Sequence, residues 1–374
     1  MKRFISVFFA VLFSISFLYT GDFEADESVS VSAEGYALFC ADDSRVLLSK
    51  GLNTKMGMAS TTKIMTTLLA IEYAQKNDKI VEFTKEMQAE GSSMYLKVGD
   101  KVHLSDLAAG MMTVSGNDAA NAAAVAIGGS IEKFASMMNK RAEAIGMKNT
   151  NFVNPGGLPH ENHYSTVYDM ALLMAEAMKN EDFRNLTIQK SAAVNFVYPE
   201  NQRVTYSNHN RLLSMYEYCI GGKTGYTQST GRCLVTVSEK DSLRLIAVTF
   251  NDRNDWQDHI ALYEYGFENF SAVTAGNLGE EYSIEVTGSE QSKVLAGVRE
   301  TKKVVIPKFS LEDVKIRVYL PPFVFAPVKE GQTVGRIICT QNEEVILEND
   351  IIARTSADYL EISGFIRFIR SLFR

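Results

Sequence analysis

The sequence predicts an α/β unit closed by an antiparallel sheet, followed by a small all-β domain. Alternating apolar strands stand at both ends of a helix-rich stretch within residues 30–275, which argues for a sheet packed against helices. From about residue 279 to 357 the chain turns into short strands at roughly 8–12-residue spacing, the all-β pattern. The length of 374 residues exceeds what one compact core usually takes, so two domains are expected.

The chain starts with Met1-Lys2-Arg3, an apolar run from Phe4 to Tyr19, and then the acidic stretch from Asp22 to Glu27. By length and flanks, residues 1–21 read as a secretory signal, which places the rest outside the cytoplasm. GYALFCA and RVLLSK read as a hairpin turning at Asp42-Asp43-Ser44. Residues 60–74 read as a helix with apolar Ile64, Met65, Leu68, Leu69 and Ile71. Ser130 is placed to cap a helix that Gly146 stops, and Ser165 or Thr166 to open another through Met170 and Leu173. CLVTVSE and LRLIAVTF, joined through Lys240-Asp241-Ser242, return to strand alternation. YSIEV, KVLAGV, KKVVIP, VKIRVYL, VGRIICT and EVILE supply the strands of the second domain.

Residues 360–374 change character again. On a helix, Ile362, Phe365, Ile366, Phe368, Ile369, Leu372 and Phe373 share one face, with Arg367, Arg370 and Arg374 opposite. A short basic amphipathic helix of this kind lies in a membrane interface rather than crossing it. The net charge of −7 gives no electrostatic reason to expect a nucleic-acid partner. Cys40, Cys219, Cys233 and Cys339 form no CxxC pair or metal spacing, and each sits in an apolar run, as buried free thiols do.

Three short motifs carry chemistry. In Ser60-Thr61-Thr62-Lys63, a hydroxyl and an amine stand one helical turn apart and can touch. Serine needs a base within hydrogen-bond reach, and lysine serves only if burial or a nearby cation lowers its pKa from ~10.4. Ser115-Gly116-Asn117 lies between two helical stretches, where the glycine permits a turn presenting both side chains on one side. Lys223-Thr224-Gly225 precedes a strand pair, and its flanking glycines leave room for another backbone to lie alongside. GGKTG is not a phosphate-binding loop, because strands rather than a helix follow it. None of the five histidines falls in a catalytic or zinc-binding motif, and no metal or cofactor is implied.

Taken with ASTTKIMT, LKVGDKVHLSDLAAGMMTVSGNDAANA, MNKRAEAIGMKNTNFVNPGGL, HYSTVYDMALL and GGKTGYT, the chain resembles the serine-type D-alanyl-D-alanine carboxypeptidases, the low-molecular-mass penicillin-binding proteins. The likeness runs from about residue 34 to 270 and continues through APVKEGQTVGRI and the tail. It implies a β-lactamase/transpeptidase-like catalytic domain with a five-stranded antiparallel sheet, a sandwich-like β domain, and removal of the terminal D-alanine from peptidoglycan pentapeptide stems. By that resemblance Ser60 would be the acylated nucleophile and Lys63 its base, with Ser115, Asn117 and Lys223 completing a proton relay. Thr224 would hold the substrate carboxylate beside Gly225, and the N–H groups of Ser60 and Tyr226 would form the oxyanion hole. β-Lactams would acylate Ser60, and the enzyme would sit at the outer face of the cytoplasmic membrane.

The resemblance leaves one departure and three rivals. His209 stands where some relatives carry an arginine for the carboxylate, which leaves Arg253 as a substitute. A DD-endopeptidase or weak transpeptidase would use the same residues. A class A β-lactamase would need a water-activating carboxylate, for which Glu161 is a poor match. A non-turnover penicillin-binding scaffold would have lost a relay residue, and none is missing.

Overall fold

The computed structural model describes residues 29–360; the signal expected over 1–21 and the amphipathic residues 361–374 lie outside them. The first part holds β1 (Gly35–Cys40), β2 (Val46–Lys50), α1 (Lys63–Ala74), β3 (Ile80–Glu82), β4 (Lys101–His103), α2 (Leu104–Thr113), α3 (Asn117–Gly128) and α4 (Ile131–Ile145). It continues with α5 (Val167–Ala177), α6 (Glu181–Thr187), β5 (Ser191–Asn195), β6 (Arg203–Ser207), α7 (Leu212–Met215), β7 (Cys219–Thr227), β8 (Gly231–Lys240), β9 (Leu243–Phe250) and α8 (Asp255–Asn269).

Its central sheet has five antiparallel strands in the order β2-β1-β9-β8-β7. Alternation along each strand explains why the sheet is covered on both faces. Ala37, Phe39, Val235, Ile246 and Val248 point into the core shared with α1–α5. Tyr36, Leu38, Cys40, Leu245 and Ala247 point the other way, under Leu262, Tyr263 and Phe267 of α8. β7 is left as an edge strand, and the edge is where the site forms.

Capping follows side-chain chemistry. Ser130 Oγ accepts the Lys133 N–H at 3.3 Å, and Gly146 ends α4 in the left-handed region at φ 94°. Of the two residues expected to open α5, Thr166 caps it, accepting the Asp169 N–H at 3.0 Å. The helix expected from residue 60 starts differently. Ala59–Thr62 is a 3-10 turn, and α1 proper begins at Lys63. The cause is local: Ala59 sits at φ 46°, and the Thr61 and Thr62 hydroxyls donate back to the Met58 and Ala59 carbonyls.

The second part is built from β10 (Phe270–Ala275), β11 (Tyr282–Thr287), β12 (Lys293–Val298), β13 (Lys302–Pro307), β14 (Val314–Tyr319), β15 (Phe323–Phe325), β16 (Thr333–Gln341) and β17 (Glu344–Ala353). A six-stranded sheet, β14-β16-β17-β12-β11-β15, is covered by the β10–β13 pair. Between them lie Val273, Ala275, Ile284, Val294, Val298, Val304, Ile337 and Ile351. All four cysteines are buried and free.

Buried Asn349 of β17 ties the layers together, its Nδ2 donating to the Ala275 carbonyl at 2.7 Å and the Glu300 carbonyl at 2.8 Å. Asn349→Ala strands both carbonyls and is expected to destabilise the β unit by about 1–3 kcal/mol. Urea unfolding followed by β-sheet circular dichroism measures it; an unchanged midpoint would contradict this role.

Candidate active site

The site lies where the 3-10 turn 59–62, the 114–117 turn and edge strand β7 meet. Gly225 makes that meeting possible. A Cβ there would stand 2.9 Å from the Ser60 nitrogen and 3.0 Å from the Thr61 nitrogen, so a larger residue would push the strand off the turn. Gly157, at φ 85°, presses on the other side; a Cβ there would overlap the Ala59 carbonyl. Ala59, held between these contacts, and Ser115, at φ 60°, are non-glycine residues in left-handed conformations, where backbone strain marks functional positions.

Lys63 is fully buried. Its Nζ stands 2.6 Å from Asn117 Oδ1, 2.6 Å from the Gly156 carbonyl and 3.0 Å from Ser60 Oγ. Burial, and then the charge of Lys223, hold its pKa well below the ordinary lysine range, while Asp118 acts weakly the other way. A neutral amine has two N–H groups and one lone pair. The two shorter contacts take the N–H groups, which leaves the lone pair for the Ser60 hydroxyl.

Lys223 lies in a second, linked cluster. Its Nζ donates to Ser115 Oγ at 3.1 Å and to the Thr224 carbonyl at 2.8 Å. Burial pulls its pKa down to about 7. Ser60, Ser115, Thr224, Gly225 and Tyr226 all line one cavity of about 360 Å³, and Tyr226 is 67% exposed at its mouth. Lys63, Asn117 and Lys223 are buried behind this lining, linked to it by the Lys63–Ser60 and Lys223–Ser115 hydrogen bonds. The motif residues thus form two hydrogen-bonded groups, Lys63–Ser60–Asn117 and Lys223–Ser115, facing the same space. Among the described residues Lys63 and Ser115 share no direct hydrogen bond.

The carboxylate shell differs from expectation. Arg253 does not reach the cavity: in the turn between β9 and α8 its neighbour Asp252 points inward, so Arg253 points out to solvent. Arg211 and Arg232 line the cavity instead, with His209. Arg232 is fixed by two hydrogen bonds to Asp255, at 3.0 and 2.8 Å, and lies over the Trp256 ring. Burial and the Lys223 charge lower the pKa of His209, which favours a neutral ring. Glu161 lines a separate cavity with Leu158 and Thr230.

Two contributors leave little sequence signal. The Gly156 carbonyl, a backbone group presented by the Asn154-Pro155-Gly156-Gly157 turn, takes one Lys63 hydrogen bond. Asn154 Oδ1 braces that turn by accepting the N–H groups of Gly156, Gly157 and Leu158. Asp118, in the first turn of α3, accepts from Ser93 Oγ, the Met94 N–H and the Leu96 N–H, tying the 84–100 segment beside Asn117. His163 also holds the turn. Its Nδ1 accepts the Val153 N–H, so Nε2 donates to Thr62, and burial drops its pKa to about 4.

A family model described as D-alanyl-D-alanine carboxypeptidase matches residues 22–254, and one described as penicillin-binding protein 5, C-terminal domain, matches 267–358. D-alanyl-D-alanine carboxypeptidase DacF of Bacillus subtilis is 30% identical, covering 99% of this chain and 97% of its own length. DacC of Escherichia coli is 32% identical over 89% of this chain and 86% of its own. Among solved structures, penicillin binding protein 5 from Haemophilus influenzae aligns with a TM-score of 0.68 at 26% identity, over 88% of this chain and 98% of that one.

The buried lysine generates a stability prediction. Lys223 has a folded-state pKa depressed from 10.5 to about 7, so the unfolded chain binds its proton more readily. The resulting penalty is full below pH 7 and gone above about 10.5. Lys223→Met removes it, so the variant's stability relative to the parent is expected to rise as pH falls from 10.5 to 7 and then level off. Thermal unfolding across that range tests this; a pH-independent difference would contradict it.

Proposed function

The chain belongs to the D-alanyl-D-alanine carboxypeptidase family, and on that premise we propose how its site residues divide the reaction. It is a serine-type D-Ala-D-Ala carboxypeptidase, a hydrolase of peptidoglycan stem peptides that β-lactams acylate, and an exported protein. The observation that carries the residue assignment is the fully buried Lys63 amine, in contact with Ser60 Oγ and without a carboxylate partner among the described residues.

In the first half-reaction, Ser60 Oγ bonds to the carbonyl carbon of the penultimate D-alanine while its proton passes to Lys63 Nζ. The developing oxyanion is assigned to the backbone N–H groups of Ser60 and of Tyr226, the residue after Gly225, which packs against the Ser60 nitrogen. Collapse breaks the peptide bond, and the leaving D-alanine amine takes the proton that Lys63 gained, handed on by the Ser115 hydroxyl, whose Oγ accepts from Lys223, so that Lys63 is neutral again. Asn117 keeps the Lys63 amine aimed at Ser60. Thr224 and the Lys223 charge hold the terminal carboxylate, and Arg211, in the same cavity, adds positive field to that end, the Arg232 charge being countered by Asp255. In the second half-reaction, water gives a proton to Lys63 as it adds to the acyl carbon, and that proton returns to Ser60 Oγ as the acyl–oxygen bond breaks, freeing Ser60 and the shortened stem.

We further assign the protein to the outer face of the cytoplasmic membrane. Supporting this are the apolar leader over 1–21 and the basic amphipathic residues 362–374.

Incubation with diacetyl-Lys-D-Ala-D-Ala, scoring free D-alanine, tests the nucleophile. Ser60→Ala is expected to lower turnover by at least ~10⁴-fold and to abolish covalent penicillin labelling. Turnover surviving in that variant would refute the assignment. The pH profile carries a separate sign. The rate constant kcat/KM is expected to rise with pH as Lys63 loses its proton, then to fall as Lys223 loses its charge. The alkaline loss appears mainly in KM if Lys223 serves carboxylate binding; a loss confined to kcat would contradict that role.

A further inference from the structure

The last described residues run back along the β unit before the chain leaves it. Val328 and Ala357 form an antiparallel bridge, and the Leu360 N–H donates to the Gly288 carbonyl at 2.7 Å. Gly288 follows β11, whose Thr287 sits opposite Phe325 of edge strand β15. The exit point therefore lies beside β15.

That corner is apolar and open. Val324 faces inward beside buried Val286, so alternation turns Phe323 and Phe325 to the outer face, their rings 5.4 Å apart. Phe325 is 70% exposed and Tyr359 69%, with Phe323 and Leu360 about half exposed. Of the nearby charges, Glu285 pairs with Lys293 beside Phe323, while Asp358, Glu290 and Glu330 are exposed carboxylates at the rim of the patch. Clustered exposed aromatics on a soluble domain mark an interaction surface.

From this placement we propose that the β15 corner, Phe323 and Phe325 with Tyr359 and Leu360, is a second membrane footing that inserts into an anionic phospholipid surface beside the tail. The proposal rests on the membrane reading of residues 362–374 given above. Chain continuity supports it, because the amphipathic residues begin directly after Leu360 and carry Arg367, Arg370 and Arg374 for anionic headgroups. Chemistry supports it too. Aromatic rings favour the bilayer interface, and one short amphipathic segment binds only reversibly until a second contact is added. A second protein strand is a poor occupant. Pro321, Pro322 and Pro327 flank β15 and remove the N–H groups that strand addition needs.

The test uses the full exported chain and vesicles of phosphatidylglycerol and phosphatidylethanolamine in co-sedimentation. The double variant Phe323→Ser/Phe325→Ser is expected to partition about tenfold less than the parent, the order expected for withdrawing two part-inserted rings. Its release of D-alanine from a soluble peptide should be unchanged, showing a folded enzyme. An environment-sensitive dye on Phe325→Cys, selective because the native thiols are buried, should shift to the blue on vesicles. The same dye on Phe309→Cys, exposed near the opposite sheet edge, should not. If the double variant still binds fully and the Phe325→Cys dye stays silent, the corner proposal is overturned while tail anchoring stands. A dye shift that depends on protein concentration without lipid would overturn it in favour of a second copy. A parent chain that stays in the supernatant overturns both readings.

Discussion

The whole active centre depends on keeping one lysine amine out of water without a counter-ion. Lys63 is fully buried, and its hydrogen-bond partners are neutral oxygens from Asn117, Gly156 and Ser60. A carboxylate partner would raise its pKa and keep it protonated, with no lone pair free to take a proton, whereas amide and peptide oxygens satisfy its N–H groups without a counter-charge. The charge of Lys223 depresses the Lys63 pKa, and in the proposed mechanism the same cation serves the anionic end of the substrate. Two buried lysines in one pocket are costly to stability, a cost accepted where chemistry requires it.

The fold meets this requirement by close backbone approach. An edge strand can touch the nucleophile turn only because Gly225 lacks a side chain, and Gly157 closes the opposite side. Those contacts enclose the left-handed Ala59, which with the Thr61 and Thr62 hydroxyl bonds sets the 3-10 start of the helix that sequence periodicity reads as uniform. Threonine hydroxyls and a neutral His163 lock the turn from below. The central sheet is covered on both faces, so the turn is held against a rigid support.

Much of this was legible in the sequence, for identifiable reasons. Strand alternation in CLVTVSE and LRLIAVTF and the turn residues between them reveal the sheet, because burial on alternate faces is written in side-chain type. Ser60, Lys63, Ser115, Asn117 and Lys223 stand out not singly, since each motif is common by chance, but because the three occur in order with flanks that resemble one family. The Gly156 carbonyl does not, since a backbone acceptor has no residue signature. Nor could one-dimensional spacing show which arginine reaches the cavity: Arg253 lies near the right place in the chain, but the turn it occupies directs Arg253 outward and Asp252 inward. Arg232 gains its position from Asp255, a partner defined only by the packing of α8 against the sheet.

The β unit links chemistry to place: the catalytic cavity sits in the first domain, and the chain exits through an exposed aromatic corner of the second. Whether Lys63 is a neutral base in the resting enzyme decides the mechanism more directly than any rate. Its protonation can be followed by the pH dependence of the Lys63 ¹³Cε chemical shift in selectively labelled protein, assigned with a Lys63→Ala variant. The account requires a titration well below the ordinary lysine range, shifting upward when Lys223→Met removes the neighbouring charge. A Lys63 that stays protonated to about pH 10, indifferent to Lys223, would contradict it.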